Sequence, residues 1–280
     1  MLTLKSKIKK LVRFAETALP APVFNALWNF ALPKYKATVR ALYRVKGFLC
    51  YRFSDPASWK MVREIHSILP YSLVGTGGLE ATYRLCSEMD ARSIPGDFIE
   101  LGVARGGCAA LMAGVMLKGG GNGRRLWLFD SYEGLPDPTA EDYGPGKSSG
   151  TGDHVTPLVR GSCLGTLDEV QHLLVSKKGY PRDRIEFIKG WFHDTVPVHR
   201  DRIKGIAVLR IDGDWYESTK TCLEGLYDLV APEGAVIIDD YQSCFGCKRA
   251  VDEFIAARGL NVDIVLDGRG GCYFRKPRHG

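Results

Sequence analysis

Four aspartates close two apolar runs: Asp212 and Asp214 in Leu209-Arg-Ile-Asp-Gly-Asp-Trp215, and Asp239 and Asp240 in Val236-Ile-Ile-Asp-Asp-Tyr241. Short apolar runs of this kind read as buried strands. In an open parallel sheet the carboxyl ends of neighbouring strands line a common crevice. Four acids gathered at one edge repel one another and call for a compensating cation. An all-oxygen ligand set suits a hard divalent ion such as Mg²⁺, which keeps positions for water or substrate oxygens. A single strand-end Asp more commonly caps the next helix. Paired acids on two strand ends point instead to metal-assisted chemistry.

A second constellation lies upstream. Phe98-Ile-Glu-Leu-Gly-Val-Ala-Arg-Gly-Gly107 reads as a strand carrying Glu100, followed by a turn with Gly102, Gly106 and Gly107. Glycine there lets the backbone approach a ligand and adopt positive φ. The G-x-G-x-x-G spacing of dinucleotide sites is missing. Leu126-Trp-Leu-Phe-Asp130 ends the next strand on an acid, which can accept hydrogen bonds from ribose hydroxyls. A glycine turn plus a second-strand acid, without dinucleotide spacing, favours S-adenosylmethionine over NAD. Trp191, in Gly190-Trp-Phe-His-Asp194, is a candidate to border an adenine ring and equally a candidate core aromatic. His193 is a weaker base candidate, flanked by an acid and distant in sequence from the aspartates.

These residues need a scaffold, and the pattern supplies one. Helices are expected over 57–69 and 79–92, then a strand over 97–101, a helix over 106–118 and a strand over 125–130. A helix over 162–178 leads to a strand over 184–188, with further strands over 206–212 and 235–239 and a helix between them over 218–230. A helix over 247–258 and strands over 263–266 and 272–275 close the chain. Strands alternating with helices of this length give βαβ units, hence an α/β fold with a mainly parallel, Rossmann-like sheet and helices on both faces. Residues 133–161 are rich in Gly, Pro, Ser, Thr and Asp, and their place after the second strand suggests a lid-like loop over the carboxyl edge.

Composition is uneven along the 280 residues. Residues 1–50 hold ten Lys or Arg against one acid, Glu16, while the remainder holds 28 bases and 31 acids. The domain reading is therefore a basic N-terminal helical arm over 1–56 and a globular domain over 57–280. Lys5, Lys7, Lys9, Lys10 and Arg13 interleave with apolar residues, so a basic amphipathic helix there could lie on an anionic membrane surface or pack as a solvated arm. The acidic body gathers no basic stripe, which argues against nucleic acid as partner. Eight scattered cysteines fit reduced, buried thiols in a cytoplasmic protein. Cys244-Phe-Gly-Cys247 lacks a second ligand pair and reads as helix packing.

Gly96-Asp-Phe-Ile-Glu-Leu-Gly-Val-Ala-Arg-Gly-Gly107, Phe129-Asp-Ser-Tyr-Glu-Gly-Leu-Pro136, Gly190-Trp-Phe-His-Asp-Thr195 and the two aspartate segments resemble the macrocin O-methyltransferase family. The resemblance spans about 70–276. It implies a class I methyltransferase fold and S-adenosylmethionine- and Mg²⁺-dependent methylation of a sugar hydroxyl in antibiotic biosynthesis. By position it implies Asp212, Asp239 and Asp240 as metal ligands and Asp214 as general base. Glu100, Gly102 and Gly106 match the methionine-side turn, Asp130 and Ser131 the ribose and adenine contacts, and Ser72 a loop near the cofactor's carboxylate. It also implies a small glycosylated substrate and a homo-oligomer assembled through the N-terminal region. Ala104 stands where the family often has Trp, and Gly77 and Gly78 replace larger residues. A catechol or phenol acceptor, and a catalytically silent membrane-associated binding module, are the competing expectations.

Overall fold

The computed structural model describes residues 14, 18–118, 123–144 and 158–278. They fall into two compact units, one up to residue 66 and one from Ser67 onward. In the first, helix α1 spans Ala21–Tyr51 and continues through Pro33. Helix α2, Pro56–Ile68, follows a short turn and runs on into the second unit. The Asp55 carboxylate caps α2 by accepting from Ser58 N at 3.0 Å. Gly47 is buried against Val62, and Phe48 packs edge-on to Trp59 at 5.8 Å. Val23, Leu27, Phe30, Leu42, Val45 and Leu49 of α1 are exposed. No helix among the described residues is long and apolar enough to cross a membrane. The basic helix expected near residues 4–14 lies outside them apart from Phe14.

The second unit carries the alternation. Helix α3 is Thr76–Ala91, β1 Asp97–Leu101, α4 Gly107–Lys118 and β2 Leu126–Asp130. Helix α5, Leu167–Gln171, runs on as a π-helical segment over His172–Lys177. Then come β3 Ile185–Lys189, α6 Phe192–His199, β4 Ile206–Ile211, α7 Tyr216–Leu226 and β5 Val230–Ile238. Helix α8, Phe245–Ala257, and strands β6 Val265–Leu266 and β7 Cys272–Arg275 end the fold.

The seven strands form one sheet in the order β3-β2-β1-β4-β5-β7-β6, parallel except at β7. Strand order reverses between β1 and β4. Because parallel crossovers are right-handed, helices on either side of that switch cover opposite faces. One face packs Ile99, Leu101, Phe129, Leu209, Ile211, Val236 and Ile238 against Cys222 and Leu223 of α7 and Val251 and Phe254 of α8. All six residues of β4 are buried, as expected for a strand covered on both sides.

The mainly parallel α/β sheet expected from the sequence is present, with local differences. The helix expected from 162 starts at Leu167, because Thr166 and Glu169 form a reciprocal capping box. Helix α6 was not anticipated; it is eight residues long and contains Pro197. Strand β5 begins at Val230 rather than 235.

Register is tightest where the strands end. Leu101 pairs with Ile211, and Ile211 with Ile238. Beyond them Asp212 N donates to Leu101 O at 2.8 Å, and Asp239 N to Ile211 O at 3.0 Å. Gly102 adopts φ +90°, and a Cβ there would lie 1.8 Å from the Asp212 carbonyl oxygen. Gly102→Ala is therefore expected to lower unfolding free energy by about 2–4 kcal/mol, from left-handed strain plus overpacking. Chemical denaturation measures it, and an unchanged midpoint would refute the close approach.

Candidate active site

Asp212, Asp239 and Asp240 converge at the carboxyl ends of β4 and β5. They offer ligand atoms all within 4.8 Å of one another, as do Asp214, Asp240 and Cys244. Asp214 and Asp240 are 7% and 6% exposed. Burial pushes the Asp212, Asp214 and Asp240 carboxyls well above the usual carboxylate range, and the neighbouring aspartates add to the rise. Asp240 Oδ1 accepts from Ser243 Oγ at 3.0 Å, while its buried Oδ2 has no hydrogen-bond partner among the described residues. An orphaned buried carboxylate oxygen inside an all-oxygen cluster fits a hard divalent cation.

The expectation that only an external cation balances these acids needs one correction. Arg210, fully buried in β4, donates from Nη2 to Asp212 Oδ2 at 3.1 Å and to Asp239 Oδ1 at 2.7 Å. Its Nε lies 3.6 Å from Glu100 Oε1. Glu100 is buried within β1, and burial pushes it up to about 7 even with this guanidinium beside it. Four aspartates against one arginine still leave an excess of negative charge.

The other sequence candidates flank this cluster on the β1–β2 side. Asp130 accepts from Val103 N at 2.6 Å and Ala104 N at 3.0 Å through Oδ2, and from Tyr132 N at 2.6 Å through Oδ1. It thus fixes the turn containing Gly102 and Gly106, and burial raises its pKa against those three donors. Ser131 Oγ donates to Gly134 O at 3.1 Å and accepts from Glu133 N at 3.1 Å. A Cβ on Gly107 would sit 2.7 Å from Ser72 N and from the Tyr71 carbonyl, so glycine lets the 71–72 loop close on the start of α4. Ser72 Oγ is engaged within its own loop, accepting from Val74 N at 3.1 Å. Trp191, half-buried, caps α6 beyond β3, where Gly190 N donates to Asp130 O at 2.9 Å. Ser72, Glu100, Gly102, Gly106, Asp130, Ser131 and Trp191 therefore all lie in or around the ends of β1 to β3. His193 is exposed beside Asp194.

The sequence pattern of the Macrocin-O-methyltransferase (TylF) family matches residues 60–276. The chain belongs to the macrocin O-methyltransferase family. It is 34% identical over 209 residues to demethyldecarbamoylnovobiocin O-methyltransferase of Streptomyces niveus, covering 74% of this chain and 76% of that one. It is 33% identical over 201 residues to the 8-demethyl-8-(2,3-dimethoxy-alpha-L-rhamnosyl)-tetracenomycin-C 4'-O-methyltransferase of Streptomyces olivaceus, covering 71% and 74%. The solved structure of the O-methyltransferase NovP superposes with TM-score 0.64 at 32% identity, over 74% of this chain and 83% of that one. This macrocin O-methyltransferase relative is thus an O-methyltransferase with the S-adenosylmethionine-binding fold, which sets aside a silent binding module.

Several features of this family member escape pattern reading. Asp142 is fully buried and ties the segment after β2 to α7, its Oδ1 accepting from Tyr216 N at 2.7 Å and its Oδ2 from Thr139 N at 2.8 Å. Trp215 Nε1 adds a bond to Pro136 O at 3.0 Å. The described flanks of the expected lid are therefore anchored, with Leu135 N and O both bonded to the 161–162 backbone at 2.9 Å. Cys244, expected as helix packing, also donates its thiol to Asp214 Oδ1 at 3.8 Å. Cys163, at φ 61°, is half-buried with its thiol pushed up by burial and by Asp214, Asp212, Asp240 and Asp130. One signal was available for Arg210: a lone charge in a wholly apolar strand must be paired.

Asp142→Ala leaves the buried Tyr216 amide without its acceptor and is expected to cost about 2–4 kcal/mol. It should also open residues 133–144 to limited proteolysis. Wild-type stability and cleavage pattern in that variant would refute the anchoring.

Proposed function

We propose that this protein methylates a sugar hydroxyl on a glycosylated natural product of the antibiotic class, using S-adenosylmethionine and Mg²⁺. The observation that carries the reading is the convergence of Asp212, Asp239 and Asp240 at the strand ends, beside Asp214, in a chain of this family. The rhamnosyl group in the name of the Streptomyces olivaceus relative favours a sugar acceptor over a catechol.

The sheet divides the work by distance. Strands lie about 4.8 Å apart, so Asp130 on β2 and Asp212 beyond β4 stand roughly 10 Å apart across β1. That separation suits a nucleoside held at β2, with its amino-acid end along the glycine turn and the reacting centre over β1. Asp130 keeps one acceptor position, on Oδ1, for a ribose hydroxyl, Trp191 offers an aromatic face, and Ser72 with the turn Gly102 to Gly106 faces the amino-acid end. Glu100 supports that turn from within β1.

Asp212, Asp239 and Asp240 are the residues that would hold Mg²⁺, with Asp240 Oδ2 the unengaged oxygen. When bound, S-adenosylmethionine supplies an electrophilic methyl group and Mg²⁺ a positive charge that makes the acceptor hydroxyl more acidic. Asp214 would accept the acceptor hydroxyl's proton as that oxygen attacks the methyl group, the donor's sulfur keeping the electron pair of the bond it gives up. Burial keeps the proton affinity of Asp214 high, as a general base for an alcohol requires. The 133–144 segment, fastened by Asp142 and Trp215, keeps water from the edge and aligns the acceptor.

Asp214→Asn is expected to bind Mg²⁺ and S-adenosylmethionine with near wild-type affinity by calorimetry and to lose about 10²–10⁴-fold in turnover. Full turnover would remove Asp214 from the reaction. Methyl transfer to a deoxysugar glycoside should stop with EDTA and return with Mg²⁺; transfer unaffected by EDTA would reject the metal. Methylation of catechol in preference to the glycoside would reject the sugar.

A further inference from the structure

Arg210 touches carboxylates from three adjacent strands. Glu100 stands beside it in β1, Asp212 follows β4, and Asp239 follows β5. It also donates from Nε to Cys108 Sγ of α4 at 3.0 Å. A planar guanidinium can bridge such groups at fixed angles, which a lysine ammonium cannot. Arg210 Nη1 is buried with no hydrogen-bond partner among the described residues. A charge this deep, with one donor unused, is retained only because the surrounding acids compensate it.

We infer that Arg210 is a resident counter-cation of the acid cluster, a positioning residue that holds Asp212 and Asp239 aligned while no metal is bound and keeps Mg²⁺ affinity moderate. The inference rests on the metal reading proposed above. Asp212 and Asp239 each give one oxygen to the guanidinium, Oδ2 and Oδ1 respectively. The ligands then need not be gathered against their own repulsion when the ion arrives. The same fixed positive charge behind the cluster opposes a second cation in front of it. A resting site of this kind stays folded without metal and exchanges the ion readily.

The test compares the full-length wild type with Arg210→Met, by thermal melting in EDTA and in MgCl2 and by calorimetric titration with MgCl2. The variant is expected to melt lower than wild type in EDTA, to show a larger Mg²⁺-induced rise in Tm, and to bind Mg²⁺ about tenfold tighter or more. An equal drop in Tm with and without Mg²⁺, together with unchanged or weaker binding, overturns the counter-cation and leaves Arg210 as a packing element. Binding by the variant alone supports the role in its extreme form. No binding to either protein overturns the metal reading and this inference with it, and flat titrations of both proteins identify that case. If Arg210→Met does not fold, Arg210→Lys carries the test. One ammonium cannot span both aspartates and Glu100, so its Mg²⁺-induced rise should again exceed that of wild type, and an equal rise overturns the inference.

Discussion

Everything at this edge depends on β1, β4 and β5 ending level with one another. Leu101, Ile211 and Ile238 pair across the three strands, and the next residues form the proposed site. Gly102 leaves β1 against the Asp212 carbonyl with no room for a methyl group. A shift of one residue in β4 or β5 would send Asp212 or Asp239 to the opposite face, because side chains alternate along a strand. The apolar packing of Leu209, Ile211, Val236 and Ile238 against α7 and α8 sets that register and thereby holds the acids together. Hydrophobic burial elsewhere in the sheet offsets the repulsion concentrated at its edge.

The same register explains why one guanidinium reaches so many partners. Glu100 and Arg210 are cross-strand neighbours and share a face. Arg210 Nη2 then extends along that face to Asp212 and Asp239. Glu100 stands under the glycine turn, and Arg210 stands under the aspartates. The pair forms a seam between the half of the edge suited to a methyl donor and the half suited to an acceptor. Motion of either half is resisted by a buried charge that cannot lose its partner cheaply.

The legible part of the structure is the part written in local pattern. Apolar runs ending in Asp212, Asp239 and Asp130 identify buried parallel strands, and parallel strands bring their ends to one edge. The start of α5 is also written locally, as Thr166 followed by Glu169, with Gly165 directly before it. Helix α6 carried too few residues and a proline, so no period stood out. Arg210 and Asp142 were hidden for a different reason. Each is a single charge with one partner on a distant element, 29 residues away for Asp239 and 74 for Tyr216. Sequence shows that such a charge must be paired without showing what pairs it.

Asp212 and Asp214 are two residues apart, yet the proposed reaction gives them different tasks. A strand continuing past Asp212 would put both side chains on one face. Instead Asp214 adopts φ 55°, a left-handed conformation that costs a non-glycine residue about 1–2 kcal/mol. Neighbouring bonds hold it there: Trp215 Nε1 to Pro136, and Tyr216 N to Asp142. The turn separates Asp214 from the Arg210 fork and brings it to the Cys244 thiol, a weak hydrogen-bond donor. A carboxylate beside Arg210 would be a poorer proton acceptor, because an adjacent cation stabilises its ionised form. The strained turn therefore lets one short segment carry both the proposed metal ligand and the proposed base, by giving two chemically identical side chains different electrostatic surroundings.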